Sequence, residues 1–356
     1  MKSNNLLGLS CQELVELAES LSEKPFRGKQ LYHQIYRRRI SDFDAMTNLS
    51  KAFRTRLQDE YTITYPDVFK RTASADGTTK FLFRLEDGSF VESVYIPEES
   101  RDTLCISSQV GCDVGCTFCM TAQMGFQRNL RPGEILGQVL QIVRSGLAQP
   151  QGFNIVFMGM GEPLYNYQNL MKAFRILTDP EGIDISYRKI TVSTSGIVPV
   201  LKKLAQEPKP PNLAISLNAT TNEVRDRVMP VNRKWPLEEL LQACREFPLD
   251  SRRRITMEYV LLKEENDSIE DARRLAGLLR GISVKVNLIP YNPNPGLSHR
   301  RPEEERIQRF RSILQELNVP HFIRKTRGDD VSAACGQLAY LEKSPSLATE
   351  PVLHTP

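Results

Sequence analysis

The chain has 356 residues, of which 40% are hydrophobic, and a formal net charge of +4 at neutral pH. This length supplies enough apolar material for one large domain and a smaller one. The sequence has no apolar run near the roughly 18 residues of a membrane span and no signal-peptide pattern at its start, which argues against a membrane or exported protein. Seven irregularly spaced cysteines are typical of a reducing cytoplasm.

Residues 1–62 are expected to form a small helical domain. Its first helix is indicated by apolar residues that recur with helical spacing, namely Leu14, Leu17, Ala18 and Leu21. The polar stretch KPFRGKQ is expected to be a link before a second helix that runs through Tyr36. The run TNLSKAFRTRLQDEY predicts a third helix, capped by either Asn48 or Ser50.

A basic segment, Lys24–Arg39, overlaps the second helix and contains six cations and no acid. Four aromatic side chains lie among these cations: Phe26, Tyr32, His33 and Tyr36. Cations neutralise phosphates and aromatic rings stack on unpaired bases, so the segment favours RNA binding. The alternative is a solvated helical face with Leu31 and Ile35 packed inside.

The remaining chain predicts an α/β fold. Residues 63–98 are expected to form a β-hairpin linker around Asp87-Gly88. In residues 99–340, six short β-rich runs alternate with helical stretches, and a seventh candidate strand is HFIRKT. Such alternation predicts a parallel sheet with right-handed crossovers, here a partial (β/α)6 barrel. Residues 341–356 are expected to be a disordered tail.

The most informative motif is the cysteine triplet in GCDVGCTFCM, with C-x3-C-x2-C spacing. Cys112, Cys116 and Cys119 could hold three corners of a cubane iron–sulfur cluster and leave the fourth iron open to a substrate or cofactor. A zinc site usually takes two ligand pairs, and Cys105 stands too far upstream for a known zinc spacing. Zinc, simple electron transfer and unligated buried thiols remain alternatives.

Polar and glycine-rich segments follow several predicted strands: Gly159–Pro163, Ser193–Gly196, Ser216–Asn218 and Tyr291-Asn292. In a (β/α) barrel the carboxyl ends of the strands share one rim, where active sites lie. These segments are therefore expected to meet the triplet at one mouth. Alternatively, each segment is an ordinary turn or helix cap.

The motif CDVGCTFC after a first strand, with a Gly-Glu-Pro loop after the second, resembles the radical S-adenosylmethionine enzymes. Further segments resemble the RlmN family, which methylates adenine C2 in 23S rRNA and tRNA: LCISSQVGCDVGCTFCMTAQMGFQRNL, FMGMGEPLYNY, TVSTSGIVP, MPVN, LIPYNP and RGDDVSAACGQL. The resemblance covers nearly the whole chain. It implies the partial barrel of that superfamily and a 4Fe-4S cluster whose open iron binds S-adenosylmethionine.

The resemblance also assigns roles to residues of this chain. The three cysteines of the triplet ligate the cluster. S-adenosylmethionine is bound by Gly161, Glu162, Ser193, Ser216, Leu217, Asn218 and Asn292. Asparagine at position 218 departs from the histidine that is commoner in the family.

The same resemblance implies an indirect methyl transfer. Cys335 is first methylated, and a 5′-deoxyadenosyl radical from a second cofactor abstracts hydrogen from that methyl group. The carbon radical then adds to adenine, an electron-poor ring without a lone pair at C2. Cys105 resolves the crosslink by forming a disulfide with Cys335, and Glu92 is the general base.

The implied substrates are an adenosine at the peptidyl-transferase centre of 23S rRNA and the adenosine 3′ of the tRNA anticodon. The implied partners also include an electron donor such as flavodoxin or ferredoxin, and we expect a cytoplasmic monomer without membrane contact. Two rival functions remain: methylation of C8 on the same rRNA adenosine, which confers antibiotic resistance, and a non-catalytic, RNA-binding redox sensor.

Overall fold

The computed structural model describes residues 4–99, 101–148, 152–250, 252–294 and 296–339. The tail predicted for residues 341–356 lies outside these described residues. The N-terminal part is helical, as predicted, and its helices are α1 (Cys11–Ser20), α2 (Pro25–Tyr36) and α3 (Lys51–Glu60).

The ends of these helices follow local capping chemistry. Ser50 accepts a hydrogen bond from the Phe53 amide and caps α3, so Asn48 is not the cap. The prediction of a polar link before α2 was wrong, because α2 already begins at Pro25. Proline fits this first helical position because its φ is preset and the amide hydrogen that it lacks would be unpaired there.

The basic segment contributes less aromatic surface than predicted. Tyr32 and Tyr36 are 1% and 0% exposed, and their hydroxyls bind Asp179 and the Leu9 carbonyl, respectively. Both rings are therefore core residues that cannot stack on bases. Phe26 remains 45% exposed, so the prediction of base stacking was wrong for the two tyrosines.

Ten strands of the described residues form one sheet. Its antiparallel part consists of β1 (Asp67–Ala73), β2 (Thr79–Arg84) and β3 (Phe90–Ile96). Its parallel part consists of β4 (Asp102–Cys105), β7 (Phe153–Phe157), β8 (Ile190–Thr194), β9 (Asn212–Ser216), β10 (Ile255–Leu261), β11 (Val284–Pro290) and β12 (His321–Ile323). The strands lie in chain order, and β3 pairs antiparallel with β4. The predicted hairpin, partial parallel barrel and seventh strand are thus confirmed.

Two features of the sheet region were not predicted. The strand β1 extends the hairpin into a three-stranded antiparallel unit, with Phe69 exposed. The predicted strand TLCISSQ ends early, at Cys105, and a separate antiparallel pair follows: β5 (Gln109–Gly111) and β6 (Phe126–Asn129). The strands β1–β3 belong to the same sheet as the barrel strands. The predicted domain boundary between residues 98 and 99 therefore stays a prediction.

Helices cover the outer face of the parallel strands and bury their apolar sides against it. They are α5 (Pro132–Arg144), α6 (Tyr167–Thr178), α7 (Val198–Leu204), α8 (Asn222–Val228), α9 (Leu237–Glu246), α10 (Ile269–Leu278) and α11 (Glu304–Glu316). The short helix α4 (Met120–Gln123) instead follows the cysteine triplet and contacts β5. No helix within the described ranges has the length and apolarity to cross a bilayer. The carboxyl ends of the parallel strands face one mouth, where the predicted motifs meet.

Candidate active site

The cysteine triplet surrounds one cavity. Cys112 directly follows β5, and Cys119 is the residue that precedes α4. Both thiols line a cavity of about 160 Å³ together with Cys116. Burial raises the pKa of the Cys112 thiol to about 12 and that of Cys116 well above its ordinary value, so positive charge from bound iron is needed to hold them as thiolates.

The three thiols fit a cluster better than a single ion. Over the described residues, no three His, Cys, Asp or Glu side chains converge closely enough to hold one metal ion. A cubane takes each thiolate at a different iron, which suits ligands arranged around a cavity. The donor set is also all sulfur, the ligand type that iron–sulfur clusters use.

The loop after β7 places Gly161 and Glu162 in the same cavity. Gly161 has φ +97°, and a β-carbon at this position would lie 2.4 Å from that of Gln109, so only glycine fits. The Glu162 carboxylate accepts hydrogen bonds from the Ser195 amide and hydroxyl at 2.7 and 2.8 Å and from the Leu164 amide at 3.0 Å. Burial raises the pKa of Glu162, and these donors oppose the shift.

The ends of β8 and β9 contribute the next predicted residues. Ser193, Ser216 and Asn218 line the cavity. Asn218 has φ +55°, a conformation that asparagine tolerates, and its Oδ1 accepts from the Val260 amide at 2.8 Å. The Leu217 side chain is instead 0% exposed in the core, so only its backbone is near the site.

The loop that carries Cys335 is fastened to the cluster loop. The Met120 amide donates to the Gly336 carbonyl at 2.8 Å, and the Thr121 hydroxyl donates to the Leu338 carbonyl at 2.6 Å. Asn292, at the end of β11, donates to the Cys335 carbonyl at 3.5 Å. Cys335 therefore lines the same cavity as the triplet, although more than 200 residues separate them in sequence.

Cys105 and Cys335 share a second cavity. The two thiols and Arg324 line this adjoining cavity of about 90 Å³. Burial is the main cause that raises the pKa of Cys105 to about 12, and the negative charge of Cys335 is the second cause. Both cysteines are free thiols in this structure.

Of the three predicted catalytic residues, Glu92 is not among the described residues that line either cavity. It lies on β3, is 4% exposed, and forms an ion pair with Lys80 at 3.0 Å. Its other oxygen accepts from the Ala339 amide at 3.0 Å. Burial raises the pKa of Glu92, and Lys80 opposes this shift. The carboxylate thus anchors the chain just beyond Cys335.

Sequence reasoning missed two polar groups at the site. Glu258, on the strand β10, lines the cavity. Arg324, at the end of β12, lines it as well, and the sequence had indicated this cation as a neighbour of Cys335. His299 bonds to the Thr117 hydroxyl between two triplet cysteines at 2.8 Å and to Glu265 at 2.5 Å. The only feature of the sequence that could have indicated these residues is their position on or next to a predicted strand. His299 has no such feature.

Comparison with known proteins agrees with this geometry. The family model described as the Radical SAM superfamily matches residues 106–276. The model described as the ribosomal RNA large subunit methyltransferase N-terminal domain matches residues 4–63. These ranges contain the triplet and the helical N-terminal part, respectively.

Whole-length relatives cover nearly all of the chain. The dual-specificity RNA methyltransferase RlmN of Anaeromyxobacter dehalogenans is 50% identical over 341 residues, which are 94% of this chain and 91% of that protein. Its namesake from Geotalea uraniireducens is 49% identical over 338 residues, covering 95% and 97%. The crystal structure of a radical SAM methyltransferase from Sphaerobacter thermophilus has a TM-score of 0.88 and 43% identity, covering 94% of this chain and 98% of that one.

Proposed function

We propose that this chain, which belongs to the RlmN family of radical S-adenosylmethionine enzymes, methylates C2 of adenosine in 23S rRNA and in tRNA. Its relatives of about 50% identity are dual-specificity RNA methyltransferases. The observation that carries the proposal is the meeting of Cys105 and Cys335 beside the cavity that the triplet lines. A redox sensor that works through its cluster alone gives no reason for Cys335 or for this second pair of thiols.

Cys112, Cys116 and Cys119 would hold the 4Fe-4S cluster. When bound, the cluster and S-adenosylmethionine supply a methyl group and a carbon-centred radical. The backbone of Gly161, with Glu162 and the residues at the ends of β8, β9 and β11, would bind the cofactor. The buried Glu162 suits an ammonium group, because a carboxylate that already accepts three hydrogen bonds is held in place.

Cys335 would carry the carbon to the RNA. Its thiolate is the nucleophile for the first methyl group, since a thiol attacks only after it loses its proton. The Arg324 guanidinium lies in both cavities with this sulfur, and the charge of Cys335 is the main cause that raises the pKa of Arg324. Arg324 would therefore stabilise the thiolate.

Cys105 would release the product. Once Cys335 is bonded through a methylene group to adenine, the Cys105 sulfur attacks the Cys335 sulfur. A sulfur–sulfur bond forms, the sulfur–carbon bond breaks, and its electron pair stays on the carbon, which takes up a proton. A thiol reductant then restores both cysteines. Because the high pKa of Cys105 keeps it protonated, this attack also needs a base.

Glu92 would be the base that removes the proton from C2 of the adduct that forms when the Cys335 methylene radical adds to adenine. The adduct also gives up its unpaired electron, for which the oxidised 4Fe-4S cluster, when bound, would be the acceptor. Its two oxygens are engaged by Lys80 and Ala339, so it would act only after the segment beyond Cys335 moves. Entry of RNA next to Cys335 would supply such a displacement. The raised pKa of Glu92 suits a group that must accept a proton.

The partners follow from the reaction. An electron donor of the flavodoxin or ferredoxin type would reduce the cluster, and the exposed cations and Phe26 of the basic segment would contact RNA. The free thiols of the described residues favour a reducing compartment, the cytoplasm, and a monomer is sufficient because one chain supplies the whole cavity.

The test incubates the anaerobically reconstituted, reduced holoenzyme with an rRNA fragment, a tRNA and methyl-labelled S-adenosylmethionine. Nuclease digestion and mass spectrometry should locate the added methyl group at adenine C2 in both RNAs. Label at C8 would instead assign the chain to the antibiotic-resistance reaction. Failure to form 5′-deoxyadenosine under reducing conditions would refute the enzyme and favour the redox sensor.

A further inference from the structure

A buried guanidinium without a carboxylate partner lies next to the predicted cluster. Arg225, on α8, is 0% exposed. Its nitrogens donate to four acceptors: the carbonyls of Leu217 at 3.0 Å, Ser195 at 2.6 Å and Ser216 at 3.1 Å, and Oδ1 of Asn232 at 3.0 Å. All four acceptors are neutral. Within the described part of the chain, no carboxylate forms an ion pair with this side chain.

Such a charge is costly to bury. Removing a cation from water costs several kcal/mol, and hydrogen bonds to neutral carbonyls offset only part of this cost. Burial lowers the pKa of Arg225 to about 10, so the guanidinium still carries its charge at neutral pH. A counter-charge is therefore expected from whatever fills the neighbouring cavity.

The position of α8 indicates the source of that counter-charge. The carbonyl of Val228, in the last turn of α8, accepts a hydrogen bond from the Thr117 amide at 3.1 Å, which fixes the helix against the loop between Cys116 and Cys119. Among ionisable neighbours, Cys116 attracts Arg225 most strongly. The other nearby thiol, Cys244, is kept neutral because burial raises its pKa to about 12.

We infer that Arg225 is the counter-charge of the 4Fe-4S cluster and raises its reduction potential, an inference that rests on the proposed function. Three thiolates give the bound cluster a net negative charge, and a one-electron transfer from a low-potential donor adds another. A fixed, buried cation is attracted more strongly to the reduced state, so it favours electron uptake. Arg225 is not among the described residues that line the cavity, so it would act as a positioning and electrostatic residue.

The same side chain also links the cluster to the cofactor loops. It binds carbonyls at the ends of β8 and β9, the strands that carry Ser193 and Ser216. Charge and hydrogen bonding must therefore be separated experimentally. Arg225→Met removes the charge and the hydrogen bonds while keeping a long side chain. Arg225→Lys keeps the charge and loses most of the hydrogen bonds. Arg227→Met is a matched control, since Arg227 lies on the same helix with its side chain 55% exposed.

The measurement is the midpoint potential of the cluster in full-length, reconstituted protein, from a redox titration followed by electron paramagnetic resonance. Arg225→Met should make one-electron reduction at least tenfold less favourable, a lowering of about 59 mV. Arg225→Lys and Arg227→Met should both retain the wild-type potential within that margin.

Two results would overturn the inference: an unchanged potential in Arg225→Met, or a lowering in Arg225→Lys as large as the one in Arg225→Met. If Arg225→Met does not fold, Arg225→Gln, which also removes the charge, is measured in its place, with a tenfold loss supporting the inference and a retained potential refuting it. A wild-type chain that binds no cluster would refute the proposed function as well, so the two failures are distinguishable.

Discussion

The ion pair between Lys80 and Glu92 is predicted to hold the Cys335 segment against the sheet. The ammonium lies 3.0 Å from the carboxylate and 3.2 Å from the Ser332 carbonyl, and the carboxylate also accepts from Ala339. The two side chains are only 17% and 5% exposed. Lys80→Met would therefore leave the Glu92 carboxylate buried with a single described hydrogen bond, from the Ala339 amide.

The expected loss of unfolding free energy is about 3–4 kcal/mol at pH 7.5. Breaking a buried pair typically costs about 3–5 kcal/mol because one charge is left uncompensated. Protonation of Glu92 limits this cost, since protonating a carboxyl of ordinary pKa at pH 7.5 costs about 4 kcal/mol. In Lys80→Met the pKa of folded Glu92 rises further. The variant should therefore regain stability as the pH falls toward 5, where less free energy is needed to protonate Glu92.

Urea denaturation of the cluster-free chain at pH 7.5 and pH 5 measures both effects. The double variant Lys80→Met/Glu92→Gln should recover at least half of the loss, because no charge then stays buried. Lys70→Met, on the exposed strand β1, is the matched control and should change stability by less than about 0.5 kcal/mol. The reasoning would be refuted if the double variant were as unstable as Lys80→Met, or if the loss did not depend on pH.

Three further predictions use other parts of the site. Cys105→Ala should accumulate RNA crosslinked to Cys335, visible as a slow band on denaturing gels, whereas ordinary turnover would contradict the resolving role. Gly161→Ala should lower the free energy of unfolding, measured by urea denaturation, by roughly 2–4 kcal/mol, because the residue has a positive φ and an added β-carbon would clash with Gln109. A variant as stable as the wild type would show that the loop relaxes freely. The hydrogen bond from Arg128 lowers the pKa of Asp87 well below its ordinary value, so its contribution to stability is present near neutral pH and is lost as the pH falls. Asp87→Asn should therefore flatten the decline of the urea midpoint between pH 6 and pH 3, and an unchanged decline would refute this.

The sequence predicted best where a local pattern has one physical reason. Alternating strands and helices predicted the parallel sheet, and Asp87-Gly88 predicted the hairpin between β2 and β3. Polar residues at strand ends predicted which loops meet the triplet, because the carboxyl ends of parallel strands share one edge. The meeting of Cys105 and Cys335 came only from the family resemblance.

What the sequence did not predict depends on tertiary packing. Tyr32 and Tyr36 face the core because α2 packs on α1, and spacing alone did not distinguish that face from an RNA-binding one. The strand β1 was missed since its side chains are mostly exposed and lack alternation. Arg225 has no motif of its own, and only its burial against neutral carbonyls reveals its importance.

The central claim is that the carbon reaches the RNA from Cys335. The most direct measurement first methylates the enzyme with trideuteromethyl-labelled S-adenosylmethionine and confirms the label on Cys335 by peptide mass spectrometry. The labelled enzyme is then given unlabelled cofactor, a reductant and RNA for a single turnover. We predict a methyl group at adenine C2 that retains two deuterium atoms, because one is abstracted before the carbon adds. An unlabelled methyl group in the first product would contradict the account.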